Sequence, residues 1–286
     1  MAFWVAQSLN ALALGGLLFM LASGFSLIFG LMRVANLAHG ALFMLGAYAG
    51  LAFVKAGLGF WLSALLAAVT VAAVGGVIER GLLRRLQGRT LPQVLLTLGL
   101  AFVIADACLM TWGGDPQRLP PPPELSGAMR FGDIVFPRYR LFVIGVSALT
   151  ALGLWLLVER TRIGAMIRAS VDDVGMARAI GISSSLLFTS VFCLGAGLAG
   201  LGGVLGGPIL SVYPGLDADM LPLALLVVIL GGAGSLLGAF VGAYLIGFIH
   251  TFGQALVPDL AYIILFVPMV AVLAVAPQGL FGRKLA

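Results

Sequence analysis

Apolar runs long enough to cross a bilayer alternate with short polar breaks from one end of this chain to the other. A helix needs roughly 20 apolar residues to span the hydrocarbon core. The stretch from Phe3 to Met32 carries no charge, and the return run from Ala38 to Val54 ends at Lys55. Phe60 to Ile78 is a third span, followed by Glu79, Arg80, Arg84, Arg85 and Arg89. A fourth, Leu91 to Trp112, is interrupted by Asp106. The longest polar stretch, Gly113 to Arg140, holds the stiff Pro120–Pro123 run. Leu141 to Val158 and Leu186 to Leu205 are the fifth and sixth spans, with a basic stretch, Glu159 to Ile182, between them.

The C-terminal part breaks this regularity. Leu221 to His250 is too long for one span, and Gly231-Gly232-Ala233-Gly234-Ser235 interrupts it. A last run, Leu260 to Val275, precedes Arg283 and Lys284. Placing that tail with the other basic loops requires 221–250 to begin and end on the opposite side. Two short helices meeting at the glycine break, within the membrane, satisfy that parity. The predicted fold class is all-α, a polytopic transmembrane bundle with broken helices and about eight or nine membrane segments. One membrane domain covers residues 1–286.

Composition removes the alternatives. Only 9% of the 286 residues are charged and 61% are hydrophobic, whereas a soluble domain carries about a quarter charged residues. Mean hydropathy is +1.14. The net charge of +5 is no argument for nucleic acid, because the arginines cluster between apolar runs in the positive-inside pattern. Segments 79–89 and 159–182 hold four arginines each and are separated by two spans, so both face the cytoplasm. Segment 113–140 also has four, diluted over more residues with three acids, and is the expected periplasmic loop. The N-terminus then lies outside. It lacks the basic region and cleavage site of a removable signal peptide. Cys108 and Cys193 sit inside apolar segments and read as packing residues rather than a disulfide.

Four segments are candidates for chemistry. Arg33-Val34-Ala35-Asn36-Leu37-Ala38-His39-Gly40 separates two spans. On physical grounds alone the simpler reading is an interfacial Arg33 and an Asn36 cap on a helix starting at Leu37. The alternative is a chain unwound inside the bundle, presenting amides and helix dipole to a solute. The break at Gly231-Gly232-x-Gly234-Ser235 implies either buried packing or a translocation path, since freed backbone groups at membrane depth need partners. The loop from Arg160 to Gly181 is patterned as a short amphipathic helix, with Ser170-x-x-Asp173 resembling a capping box and Gly181 suited to its end. It either rests on lipid or docks a cytoplasmic partner, and its paired aspartates favour the protein. Asp106 stands alone in its span, and a local hydrogen bond near the outer surface is the expected account.

Enzyme signatures are missing. Two histidines, His39 and His250, form no metal-ligand cluster with acids, and Lys55 and Lys284 sit in no phosphate-binding Gly-x-x-x-x-Gly-Lys-Ser/Thr motif.

The segment Gly30-Leu-Met-Arg-Val-Ala-Asn-Leu-Ala-His-Gly-Ala-Leu-Phe-Met-Leu-Gly-Ala-Tyr48 closely resembles a hallmark of the Liv-type permeases of branched-chain amino acid ABC transporters. So do Glu159-Arg-Thr-Arg-Ile-Gly with Arg168, Asp172-Asp173, Arg178 and Gly181-Ile182, then Leu230-Gly-Gly-Ala-Gly-Ser-Leu-Leu-Gly-Ala239, and Pro277-Gln-Gly-Leu-Phe-Gly282. The likeness runs in family order over nearly the whole chain and is nearer to the H-type subunit. It implies a bacterial inner-membrane importer. A second permease, identical or related, two cytoplasmic ATPase subunits and a periplasmic binding protein would be its partners. ATP would bind those ATPases, and this chain would hold no cofactor and no metal. Asn36, His39, Gly40, Gly231, Gly232, Gly234 and Ser235 would border the solute path. Gly164, Arg168, Asp172, Asp173, Arg178 and Gly181 would belong to the segment that couples to the ATPase. The family also carries urea, short amides and other small solutes. The competing reading is an ion-coupled secondary transporter or a channel.

Overall fold

A computed structural model describes residues 1–33, 35–131 and 134–282, and the architecture is helical throughout. Eleven α-helices are present among the described residues: α1 (Ala2–Met32), α2 (His39–Lys55), α3 (Phe60–Gly81), α4 (Thr90–Trp112), α5 (Arg138–Arg160), α6 (Arg162–Asp172), α7 (Val174–Ala179), α8 (Ser184–Leu210), α9 (Leu216–Gly231), α10 (Leu236–Leu256) and α11 (Ala261–Val275). Six are long and apolar enough to cross a membrane. With α2, α9 and α11, which are shorter, the membrane segments match the expected range.

Of the six long spans, α1 and α8 are the most enclosed. That follows from α1 being apolar on every side, the pattern of a helix surrounded by others. In lipid, association depends on close packing rather than on expulsion of water, and small residues provide it. A Cβ on Gly24 would come 2.5 Å from the Gly195 carbonyl oxygen, so α1 and α8 cross backbone to backbone there. α8 packs with α2 and α3 as well. α4 and α5 lie outside this centre and turn apolar side chains such as Phe102, Val103 and Leu149 outward, as a lipid-facing or subunit-facing surface requires.

Helix ends sort into two faces. Arg33, Arg84, Ser185 and Val171 are joined by hydrogen bonds at one face. At the other, Lys55 bonds Gln117, whose backbone pairs with Val212 in both directions at 2.8 Å. The 113–140 stretch is therefore not a free loop. Leu119 is buried against Gly207, and a two-stranded antiparallel hairpin, β1 (Ala128–Phe131) with β2 (Ile134–Pro137), precedes α5. This hairpin departs from the all-α expectation only locally. Its strands are too short and isolated to form a layer.

Candidate functional site

Arg33 ends α1 in a left-handed conformation, φ 54°, with its N–H donating to the Phe29 carbonyl at 2.7 Å. The chain then turns back into the bundle. Leu37 N–H donates to Thr97 Oγ1 at 3.1 Å, and Thr97 lies seven residues into α4, about 10 Å from its end. His39 Nε2 lies 3.0 Å from the Leu21 carbonyl oxygen, and Leu21 is eleven residues, about 16 Å, inside α1. Residues 35–38 are thus non-helical backbone at membrane depth, and α2 starts within the bundle. This overturns the simpler reading of an interfacial cap.

The cap itself differs from expectation. Asn36 Oδ1 accepts from Ala38 N–H at 3.2 Å and the Asn36 carbonyl accepts from His39 N–H at 3.1 Å, so Asn36 forms a turn and the helix begins at His39. Asn36 is 3% exposed and His39 0%. The His39 ring sits edge-on to Phe25, centroids 5.5 Å apart. With Nε2 assigned as the donor to Leu21, His39 Nδ1 has no partner among the described residues, and neither has Asn36 Nδ2. Gly40 lets α2 meet the start of α9, since a Cβ there would lie 2.7 Å from the Asp217 carbonyl oxygen.

The glycine break is the tip of the α9–α10 hairpin, and α10 is a full-length helix instead of a short one. The tip lies beside the end of α1. A Cβ on Gly30 would meet Gly234 Cα at 2.7 Å, and Ser26 Oγ donates to the Ser235 carbonyl at 3.4 Å. Gly232 and Gly234 have φ of 99° and 79°, which glycine alone adopts easily. Ser235 Oγ caps α10 by accepting from Gly238 N–H at 3.0 Å. The carbonyls freed at the end of α9 are also satisfied: Leu230 and Gly231 accept from Leu280 and Phe281 N–H at 2.9 Å each. Gly231 packs against Gly238, and Gly232 against Gly279 and Gly282. These are packing contacts, and they put the described C-terminal segment on the face that carries Arg33. Arg283 and Lys284 lie outside the described residues. The tip and the Asn36–Gly40 segment are not brought together: Gly30 and Leu21 are nine residues apart on α1, about 13 Å.

The loop between α5 and α8 folds as two helices, not one. Thr161 caps α6, its Oγ1 accepting from Gly164 N–H at 3.1 Å. Asp173 caps α7, its Oδ1 accepting from Gly175 and Met176 N–H at 2.7 and 3.0 Å. The expected capping box therefore fails at Ser170, which is buried inside α6 with its hydroxyl unpartnered among the described residues. Asp173 interrupts the helix because its extended backbone, φ −150°, suits a cap and not a helix interior. Gly164 has no room for a side chain against the Leu157 and Val158 carbonyls. Arg168 reaches the Val158 carbonyl and pairs with Glu159 at 3.5 Å, placing a cation at the C-terminal end of α5. Gly181, φ 91°, follows α7 as expected. Arg178 Nε donates to Ser184 Oγ at 3.2 Å. The expected single apolar face is divided: Ile167 and Ala177 point into the protein, while Ile163, Met176 and Ile180 are exposed, the last two by 62% and 67%. A cavity of about 440 Å³ opens beside Asp172 and Asp173, bordered by Arg33, Gln87, Arg178 and Phe188.

Residues with no marked signal in the sequence complete the picture. Thr97 holds the unwound segment, Arg33 donates to the Val171 carbonyl of α6 at 3.4 Å, and the buried Glu79 carboxylate pairs with half-buried Arg84 at 3.1 Å. Only Glu79's place as the first polar residue after a span hinted at the last. Asp106 is exposed on α4 and has no hydrogen bond or ion pair among the described residues, so its expected local bond is absent. Among the described residues no group of His, Cys, Asp and Glu could hold a metal.

The family described as branched-chain amino acid transport system / permease component matches residues 7–273. BraD of Pseudomonas aeruginosa, a high-affinity branched-chain amino acid transport system permease protein, is 29% identical over 98% of this chain and 96% of its own length. LivH of Escherichia coli, described in the same terms, is 26% identical over 98% and 96%. Among solved structures, PsaBC from Streptococcus pneumoniae in complex with Fab aligns with 92% of this chain and 87% of its own at 16% identity and a TM-score of 0.47. The chain belongs to the branched-chain amino acid transport system permease family and is a multi-pass membrane protein.

Proposed function

From this family membership and the geometry of the bundle, we propose that the chain is the permease subunit of a bacterial inner-membrane ABC importer. It forms part of the path for a branched-chain amino acid or a related small polar solute. The observation that carries the reading is the unwound segment at membrane depth, where Asn36 and His39 are buried with Nδ2 and Nδ1 unpartnered among the described residues. Backbone without helical bonding is tolerated at that depth only inside protein or beside a hydrated cavity. Polar atoms left unpaired there cost about 1–3 kcal/mol each unless a solute or water meets them. A helix start beside them adds oriented amides for a carboxylate. Gly40 and the tip glycines Gly231, Gly232 and Gly234, with Ser235, set the close packing that shapes the path's wall and inner rim.

ATP binds on partner chains in this reading. The α6–α7 segment docks an ATPase through exposed Ile163, Met176 and Ile180 beside Asp172, Asp173 and Arg178, and a second permease subunit completes the membrane unit. A periplasmic binding protein delivers the solute to the face that holds the 113–140 segment. The test is purification from the native membrane, followed by uptake into liposomes containing the chains that accompany this one. ATP-dependent uptake, cut at least tenfold by Asn36→Leu without loss of assembly, is the expected result. Uptake driven by an ion gradient with no ATPase present would sink the proposal.

A further inference from the structure

α8 begins at Ser184, three residues after the α6–α7 segment ends at Gly181, so this joint is where movement of the segment would enter the bundle. The joint is held from both sides. Arg178 of α7 bonds Ser184 Oγ at 3.2 Å. From the other side Arg84, on the turn after α3, donates through Nη2 to the Ser185 carbonyl at 3.2 Å and to Thr189 Oγ1 at 2.6 Å. Arg84 is fixed in turn by Glu79, which is fully buried at the end of α3 and accepts from Arg84 Nη2 at 3.1 Å. The Thr189 hydroxyl donates to the same carboxylate oxygen at 2.6 Å.

A buried ion pair is weak evidence for stability, because apolar side chains of similar volume often serve as well. What a carboxylate, a guanidinium and a hydroxyl provide together is one bonded arrangement and few others. Beyond the joint the two helices are bound closely by small residues. Gly75 faces Ala196, Gly76 faces Cys193 and Gly200 faces Val71, and α8 then passes Gly24 of α1. Displacement of the first turn of α8 is thereby passed to its neighbours.

We propose that Glu79 is a positioning residue: acting through Arg84 and Thr189, it locks the start of α8 to α3, so that movement of α6–α7 is transmitted to the α3–α8 pair. This rests on the reading of α6–α7 as the ATPase-docking segment. The experiment uses the complex purified with its accompanying chains, in liposomes, and measures solute moved per ATP hydrolysed for Glu79→Gln, Thr189→Val and Thr189→Ser. Glu79→Gln and Thr189→Val should keep ATPase stoichiometry and ATP hydrolysis while solute moved per ATP falls at least about fivefold, the low end of usual coupling between sites. Thr189→Ser, which keeps the hydroxyl, should restore the ratio. An unchanged ratio in Glu79→Gln and Thr189→Val overturns the inference, as does loss of assembly in step with transport at constant ratio. Should Glu79→Gln fail to assemble, Thr189→Val against Thr189→Ser decides, because both retain the ion pair. Absence of any ATPase from the wild-type complex would instead remove the underlying reading, and this inference with it.

Discussion

His39 Nε2 lies 3.0 Å from the carbonyl oxygen of Leu21, although eighteen residues and a complete reversal of the chain separate them. The bond joins the first residue of α2 to the interior of α1. The segment between them must re-enter the bundle without helical bonding, and each of its amides needs another partner.

Thr97 supplies one such partner. Thr97→Val keeps the shape but strands the Leu37 N–H, at a cost of about 1–3 kcal/mol. Thermal unfolding of the detergent-solubilised chain should show that loss, with uptake reduced alongside, and Thr97→Ser should recover both. Wild-type unfolding in the valine variant would mean that α4 does not hold the segment. By the same logic His39→Ala, which removes the ring from Phe25 and the bond to Leu21, should cost about 2–4 kcal/mol.

Asp173 caps α7, and in the proposed assembly it is also part of the docking surface. Asp173→Asn keeps the Oδ1 acceptor used by Gly175 and Met176, so its effect should be small. Asp173→Arg loses the cap, worth about 1 kcal/mol, and reverses the charge. It should hydrolyse ATP without matching uptake while inserting normally in the membrane. Normal coupled transport in the arginine variant would count against docking at this segment.

Gly232 cannot carry a side chain without disturbing the C-terminal segment. Its φ is 99°, and a Cβ would lie 2.7 Å from Gly282 Cα. Gly232→Leu should block uptake and expose residues 276–282 to protease. Gly30→Ala should loosen the same tip from its other side, because its Cβ would meet Gly234 Cα at 2.7 Å. If both variants transport and resist protease like the wild type, the tip tolerates more than its packing suggests.

Topology can be read by cysteine labelling with an impermeant reagent, after Cys108 and Cys193 are changed to Ala. Cysteines replacing Leu280 and Ile180 should label from the cytoplasmic side, and one replacing Val135 from the periplasmic side; all three positions are exposed. Periplasmic labelling at position 280 would reverse the placement of the α9–α10 hairpin.

Membrane residence and the rough placement of the long spans were legible in the sequence because each rests on a local quantity. A run of apolar side chains reports transfer to hydrocarbon whatever its neighbours do. Arg138–Arg160 differs from the expected Leu141–Val158 only by its polar ends. Gly181 and Gly232 were readable for a similar reason, since a residue without Cβ can take the positive φ that ends a helix. Ser170 misled because a capping box is a spacing, and the spacing alone does not say whether the serine faces the turn or the core.

What only the tertiary structure decided is where polar groups find partners. From sequence, Asn36 capping a helix at the interface and Asn36 inside an unwound segment look alike. The difference is made by Thr97, sixty residues away, which takes the Leu37 amide. Glu79 and Arg84 read as two charges at a helix end, and Thr189, 110 residues from Glu79, turns them into a buried cluster. The glycine break left its freed carbonyls without partners in the sequence, and Leu280 and Phe281 supply them. In each case hydrophobicity, which is additive along the chain, placed the segment. Hydrogen bonds are pairwise and directional, and their distant partners decided how each segment is held.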